Sequence, residues 1–106
     1  MAIIKDTFHR QTQTKQEEAA NIDQQVTRLE EDIRKLKIEF DIYFNGGLKR
    51  PPLESRARLE ANLKRLADDR NLSYAQRYQF NSVVSRFNSY RELWRRLLKK
   101  RGEEIA

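Results

Sequence analysis

The chain has 106 residues and a net charge of +6, and it is 38% apolar and 36% charged, with three glycines, two prolines and no cysteine. The lack of cysteine excludes disulfides, thiolate metal sites and thiol catalysis, and no apolar run approaches the ~18 residues of a membrane-spanning helix. Because Glu, Lys, Arg, Leu and Gln are abundant while Gly and Pro are scarce, we expect a single all-α domain of long amphipathic helices, without a secretory signal and located in the cytoplasm.

Residues 1–16 form a polar segment rich in Gln and Thr, which we expect to be an N-terminal tail. The segment contains His9, the only histidine of the chain. One histidine without neighbouring ligands makes no metal site, so we expect His9 to be exposed and the protein to bind no metal or cofactor.

A heptad pattern defines the first helix, which we predict over about residues 17–44. From Ala19 to Tyr43, apolar residues recur with alternating gaps of three and four, close to the 3.5-residue period of a coiled coil. The first part of this pattern is a predicted oligomerisation seam, made of Ala19, Ile22, Val26, Leu29, Ile33 and Leu36. Residues 36–44 also alternate apolar and polar side chains as a strand does, but the chain offers no strand to pair with them, so we favour a helix.

Residues 45–52 end the first helix and lead into the second. Asn45 and Gly46 suit the left-handed backbone of a helix C-cap, and Pro51 and Pro52 are tolerated where the next helix begins. We predict this second helix over residues 53–70.

The third helix is predicted over residues 74–101, followed by a short tail at residues 103–106. Ser73 and Gln76 have the spacing of a capping box, and apolar residues recur from Phe80 to Leu97 with gaps of three and four. Residues 73–106 contain 8 basic and 3 acidic side chains, whereas residues 1–72 are nearly balanced. The third helix therefore carries both much of the core and most of the net positive charge.

The short connections predict an antiparallel three-helix bundle in which the long first helix extends as a coiled coil. At ~1.5 Å per residue, the second helix is the shortest, so the third helix should pass its end by about ten residues. At the opposite end, the seam from Ala19 to Leu29 should lack a partner within the chain and pair with a second copy or with another protein's helix.

Two groups of polar side chains are candidate binding sites. The basic pole, where the end of the third helix should meet the first loop, comprises Lys49, Arg50, Arg95, Arg96, Lys99, Lys100 and Arg101. The donor stripe along one side of the third helix comprises Arg77, Asn81, Asn88, Arg95 and Lys99. Both groups could hold phosphates or an acidic partner. Alternatively, the pole is a solvated helix end, and the stripe bonds to acids of the first helix such as Asp32, Glu39 and Asp41.

Tyr74 and Tyr78 lie one turn apart and away from the apolar stripe of the third helix. They could be exposed rings that stack on nucleic-acid bases. We favour the other interpretation, in which they cover the base of the bundle over Leu72 and the end of the second helix.

The residues contain no catalytic, metal-binding or nucleotide-binding motif, so we expect a protein that is not an enzyme. The favoured hypothesis is an assembly module that forms a homodimer, or docks on a helical protein partner, through the heptad seam. The alternative is a protein that binds the backbone of RNA or DNA through the basic pole. We do not expect membrane binding, because no apolar face is left over beyond the core stripe.

Overall fold

The computed structural model describes the backbone of residues 2–102 and the side chains of residues 16–102. Its elements are α1 (Ala2–Phe44), α2 (Leu53–Ala67) and α3 (Tyr74–Lys100), and no strand occurs in this part of the chain. The predicted all-α class is confirmed. Residues 36–44, which alternate like a strand, are helical, because the heptad that runs through them is buried along one face.

The first two helices differ in length from the prediction. The backbone of α1 is helical from Ala2 rather than from about residue 17, in a segment that has no Gly or Pro to interrupt a helix. The side chain of His9 lies outside the described residues, as does the predicted tail at residues 103–106. The α2 helix ends at Ala67 rather than at residue 70. Just after this end, the Asp69 carboxylate accepts the N–H of Asn71 at 2.8 Å. Such a local turn competes with continued helix.

Both predicted helix boundaries around the loops are built as expected. Gly46 has φ +86°, and the N–H groups of Gly46 and Gly47 donate to the carbonyls of Tyr43 and Ile42 at 3.0 and 2.8 Å. These bonds satisfy carbonyls that the end of α1 would leave open. At the start of α3, Ser73 Oγ accepts the N–H of Gln76, and Gln76 Oε1 accepts the N–H of Ser73.

The core follows the predicted apolar spacing on α1 from Ile22 and on α3, except that Leu98 rather than Leu97 is buried at the end of α3. Aromatic rings fill the half of the core that lies nearer the first loop. The Phe40 and Trp94 rings stack with centroids 4.2 Å apart, and the Tyr90 and Trp94 rings stack with centroids 5.7 Å apart. The buried apolar residues are Ile22, Val26, Leu29, Ile33, Leu36, Phe40 and Tyr43 on α1, Leu59, Leu63 and Leu66 on α2, and Phe80, Val83, Phe87, Trp94 and Leu98 on α3.

The α1 helix packs against both α2 and α3. The points at which α1 touches α3 rise together along the two helices: Gln76 bonds to the Ala19 carbonyl, Trp94 stacks on Phe40, and Arg101 bonds to the Tyr43 carbonyl. The α3 helix therefore follows α1 in the same direction from Ala19 to Tyr43, which is consistent with successive helices alternating in direction.

The prediction of an uncovered seam is wrong. Ile22, Val26 and Leu29 are only 4%, 3% and 4% exposed, and Ile33 and Leu36 are buried as well, while Ala19 is exposed. The reason lies in residues 68–73. The last turn of α2 borders Leu29, as a groove lined by Leu29, Asn62 and Arg65 among others shows, whereas α3 begins beside Ala19. The connection therefore runs along α1 from the level of Leu29 towards Ala19. As a result, the start of α3 covers the part of the seam between them.

Candidate polyanion-binding surface

The structure brings the C-terminal end of α3 to the start of the first loop. The Arg101 guanidinium donates to the Tyr43 carbonyl at 3.4 Å and lies over the Tyr43 ring, 4.8 Å from its centroid. Tyr43 is two residues before the loop at residues 45–52, which contains Lys49 and Arg50. The two parts of the basic pole therefore lie at one end of the molecule, and Arg101 is partly committed to holding them together.

The α3 helix extends past the start of α2 by less than predicted. Arg91 of α3 lies beside Glu60 of α2, with Nε and Oε1 3.6 Å apart. Because Glu60 comes only about two turns after Leu53, where α2 starts, α3 passes that start by about one turn rather than by about ten residues. The cause is again the lower starting position of α3.

Most cations of the basic pole are open to solvent. Lys49, Arg50, Arg96, Lys99 and Lys100 are all exposed, and no carboxylate in residues 16–102 forms an ion pair with any of them. Arg95 lies 3.9 Å from Glu92, but both side chains are at least 60% exposed, so the pair is weak. The pole thus presents a cluster of positive charge that the described part of the chain does not neutralise.

Arg77 differs from the other residues of the donor stripe, because its side chain bonds within the protein. Its guanidinium donates to the carbonyls of Ala67 and Asp69, at 3.3 and 2.9 Å, where α2 ends. These carbonyls have no helical partner, so Arg77 holds the connection between α2 and α3. Asn81, Asn88 and Lys99 are exposed. None of the stripe residues bonds to an acid of α1 within the described side chains, in contrast to the alternative considered from the sequence.

A shallow groove runs along the solvent-exposed side of α3, which we call the α3 groove. Its lining is Asn81, Val84, Ser85, Asn88, Ser89, Glu92 and Arg96. The groove joins the middle of the donor stripe to the basic pole, and its only charged members lie at the end near the pole. The rest of the groove carries side-chain amides and hydroxyls, which can both donate and accept hydrogen bonds.

The favoured prediction for the two tyrosines is wrong. Tyr74 and Tyr78 are 94% and 75% exposed, so they do not cover the base of the bundle. They lie on the side of α3 opposite to Phe80 and Val83, and Leu72 packs against the core in their place. Two exposed aromatic rings therefore stand one turn apart at the end of α3 remote from the basic pole.

Two buried polar side chains were missed from the sequence, and both occupy core positions. Gln76 makes three hydrogen bonds: Nε2 donates to the Ala19 carbonyl at 3.1 Å and to Asp23 Oδ1 at 2.9 Å, while Oε1 accepts from Ser73. Its spacing of four residues before Phe80 could have identified it. Because every polar atom of the side chain has a partner, Gln76 can be buried at little cost.

Arg56 is the second buried polar residue, at 7% exposure. Its Nε lies 3.2 Å from Glu60 Oε1, the oxygen that Arg91 also approaches. Burial lowers the pKa of the Arg56 guanidinium, and the charge of Glu60 opposes that effect. The spacing of three before Leu59, with an acid four residues later, is the signal that could have placed Arg56 in the α2 contact face.

The described residues contain no group of three or more His, Cys, Asp or Glu side chains that could hold a metal ion. Within residues 2–102, none of the helices has the length and apolarity needed to cross a lipid bilayer. No protein-family model matches the chain, and no curated protein or solved structure shows significant similarity to it.

Proposed function

We propose that this protein is a non-enzymatic, cytoplasmic binding module, built on an antiparallel three-helix bundle, whose basic pole holds the phosphate backbone of RNA or DNA. The observation that supports this proposal is the group of exposed cations at one end of the bundle, without a neutralising carboxylate in residues 16–102. The group is Lys49, Arg50, Arg96, Lys99 and Lys100.

Exposed lysines and arginines bind nucleic-acid phosphates mainly by releasing the counterions that the phosphates hold. This binding needs clustered charge rather than a shaped pocket, and it carries little sequence preference. The last two turns of α3 supply the cluster, and the loop at residues 45–52 widens it. The affinity should therefore fall steeply as the salt concentration rises.

A matched pair of charge reversals tests the proposal. We expect labelled mixed-sequence RNA and duplex DNA to bind at about 50 mM salt and to bind much more weakly at about 200 mM, as measured by fluorescence anisotropy. Lys99→Glu with Lys100→Glu should lower the affinity and reduce the slope of log affinity against log salt by about 1 for each phosphate that the variant no longer binds.

The control changes net charge by the same amount on another helix, outside the basic pole. Arg58 and Lys64 are exposed on α2, and Arg58→Glu with Lys64→Glu should affect binding much less. Equal reductions in affinity for the two double variants would mean that net charge, not the pole, governs binding. An absence of binding at the lower salt concentration would refute the proposal.

Assembly with a second copy or with a helical protein partner is the second candidate, although not through the heptad seam, which is buried within the chain. The observation in its favour is a short apolar strip beside the first loop. Ile38 and Ile42, one turn apart on α1, are 52% and 42% exposed, and Leu48 is 41% exposed. Sedimentation equilibrium tests self-association: a dimer that Ile38→Asp with Ile42→Asp dissociates would support this candidate, and a wild-type monomer would remove self-association.

A further inference from the structure

The exposed face of α3 continues the basic pole towards two free aromatic rings. Tyr78, Ser85, Ser89 and Arg96 lie 7, 4 and 7 residues apart, so at about 100° per residue they fall within about 40° of one another on the helix surface. Tyr74 lies one turn before Tyr78. From Tyr78 to Arg96 this face extends for about 27 Å along the helix axis.

Apart from Glu92 near the pole, the electrostatics of this face suit a phosphate chain. From Tyr74 to Arg91 the helix contains no acidic residue. Of the neighbouring acids, Asp23 accepts a bond from Gln76 and Glu60 is paired with Arg56, while Glu92 lies in the groove lining beside Arg95. An anion that follows the α3 groove from the pole therefore passes one carboxylate, Glu92, at the pole end and none on α3 from Arg91 back to Tyr74.

The groove between the rings and the pole is lined by hydrogen-bonding groups. Asn81, Asn88 and Ser85 are exposed, and their amides and hydroxyl can bond to phosphate oxygens or to base edges. The Ser89 hydroxyl donates to the Ser85 carbonyl at 3.1 Å, which leaves its oxygen free to accept. A ligand crossing the groove would find a polar partner at each turn.

We propose that α3 is a binding track for single-stranded nucleic acid, in which Tyr74 and Tyr78 stack on unpaired bases while the basic pole holds the phosphates. This inference rests on the proposed function and narrows its ligand. Exposed aromatic rings combined with a positively charged groove are how proteins bind single strands without sequence preference. The bases of a duplex are already stacked on one another, so only a single strand can use both ends of the track.

The test compares ring removal with ring retention on two ligands of equal length. One variant is Tyr74→Ala with Tyr78→Ala, and its control is Tyr74→Phe with Tyr78→Phe, which keeps the rings. The ligands are a labelled single strand of mixed sequence, about 16 nucleotides long, and a duplex of the same length, both titrated at about 50 mM salt with anisotropy as the readout. Circular dichroism confirms that the helix content is unchanged, as expected because both rings are exposed.

We expect the alanine variant to bind the single strand about tenfold more weakly for each ring that stacks, and the phenylalanine variant to bind it as the wild type does. Duplex binding should be unchanged in both. Equal weakening on both ligands, or unchanged binding to the single strand while Lys99→Glu with Lys100→Glu still weakens it, would overturn the track and leave the proposed function standing. If the wild type binds neither ligand, both proposals are wrong.

Discussion

The two faces of α3 run along the same helix, yet they are built from opposite kinds of residue. The inner face consists of large apolar side chains that are at most 3% exposed, namely Phe80, Val83, Phe87, Trp94 and Leu98. The outer face carries exposed tyrosines, small polar residues and, near its end, cations. This division teaches that the two faces should affect stability very differently: changes on the inner face should lower it by up to several kcal/mol, whereas changes on the outer face should alter it by about 1 kcal/mol or less and act mainly on binding.

The largest decrease in stability is expected from the centre of the inner face. Trp94 is 1% exposed, stacks on Phe40 and Tyr90, and has Phe87 at its edge. Trp94→Ala should lower the free energy of unfolding by about 3–5 kcal/mol, because it removes apolar packing and leaves a cavity among these rings. Urea denaturation followed by circular dichroism measures the decrease.

The control for Trp94 is the residue that precedes it. Leu93 is 41% exposed, so Leu93→Ala should cost about 1 kcal/mol or less. If the two variants were destabilised equally, the assignment of the inner face would be wrong.

A smaller decrease in stability is expected from Gln76, the buried polar residue on the inner face. Gln76→Ala removes the three bonds to Ser73, Ala19 and Asp23, and leaves the Ser73 N–H without its side-chain acceptor. We expect a decrease of about 1–3 kcal/mol in the free energy of unfolding.

Gln79 provides the matched control, since it is the same residue type on the same helix but exposed. Gln79→Ala should change the free energy of unfolding by no more than about 0.5 kcal/mol. Similar thermal midpoints for the Gln76 and Gln79 variants would show that the network around Gln76 contributes nothing.

The helices and the apolar core could be predicted because both are local consequences of spacing. The heptad on α1 and the stripe on α3 mark the buried positions directly, and the capping box marks the start of α3. The burial of Gln76 and Arg56 was missed because the pattern was read from apolar residues alone, although both occupy positions in the same stripes. Their spacing before Phe80 and Leu59 could have marked them, and Glu60 is a further signal for Arg56.

The covered seam and the exposed tyrosines could not be predicted because both depend on how far α3 is shifted along α1. Residues 68–73 set that shift, through the bonds of Arg77 to the carbonyls of Ala67 and Asp69. No periodicity records the path of such a connection. Once α3 starts beside Ala19, Ile22 and Val26 are covered, and Tyr74 and Tyr78 are left facing solvent.

The smallest expected change in stability is an increase, and it comes from substitutions on the outer face. Ser85 and Ser89 are exposed, and serine is a weaker helix former than alanine by up to about 0.7 kcal/mol. The Ser89 hydroxyl also bonds back to the Ser85 carbonyl, an arrangement that slightly destabilises a helix. Ser85→Ala with Ser89→Ala should therefore raise the free energy of unfolding, by about 0.5–1 kcal/mol in total.

The same double variant should weaken binding to a single strand, because both hydroxyls line the α3 groove. Ser82 separates the two effects: it is exposed on α3 but outside the groove lining, so Ser82→Ala should add stability and leave binding unchanged. If the groove variant is more stable but binds the single strand as the wild type does, the groove is an ordinary solvated surface. If thermal denaturation shows that both variants are more stable, and anisotropy titration shows that only the groove variant binds more weakly, the two groove serines lower the stability of the helix but contribute to ligand binding.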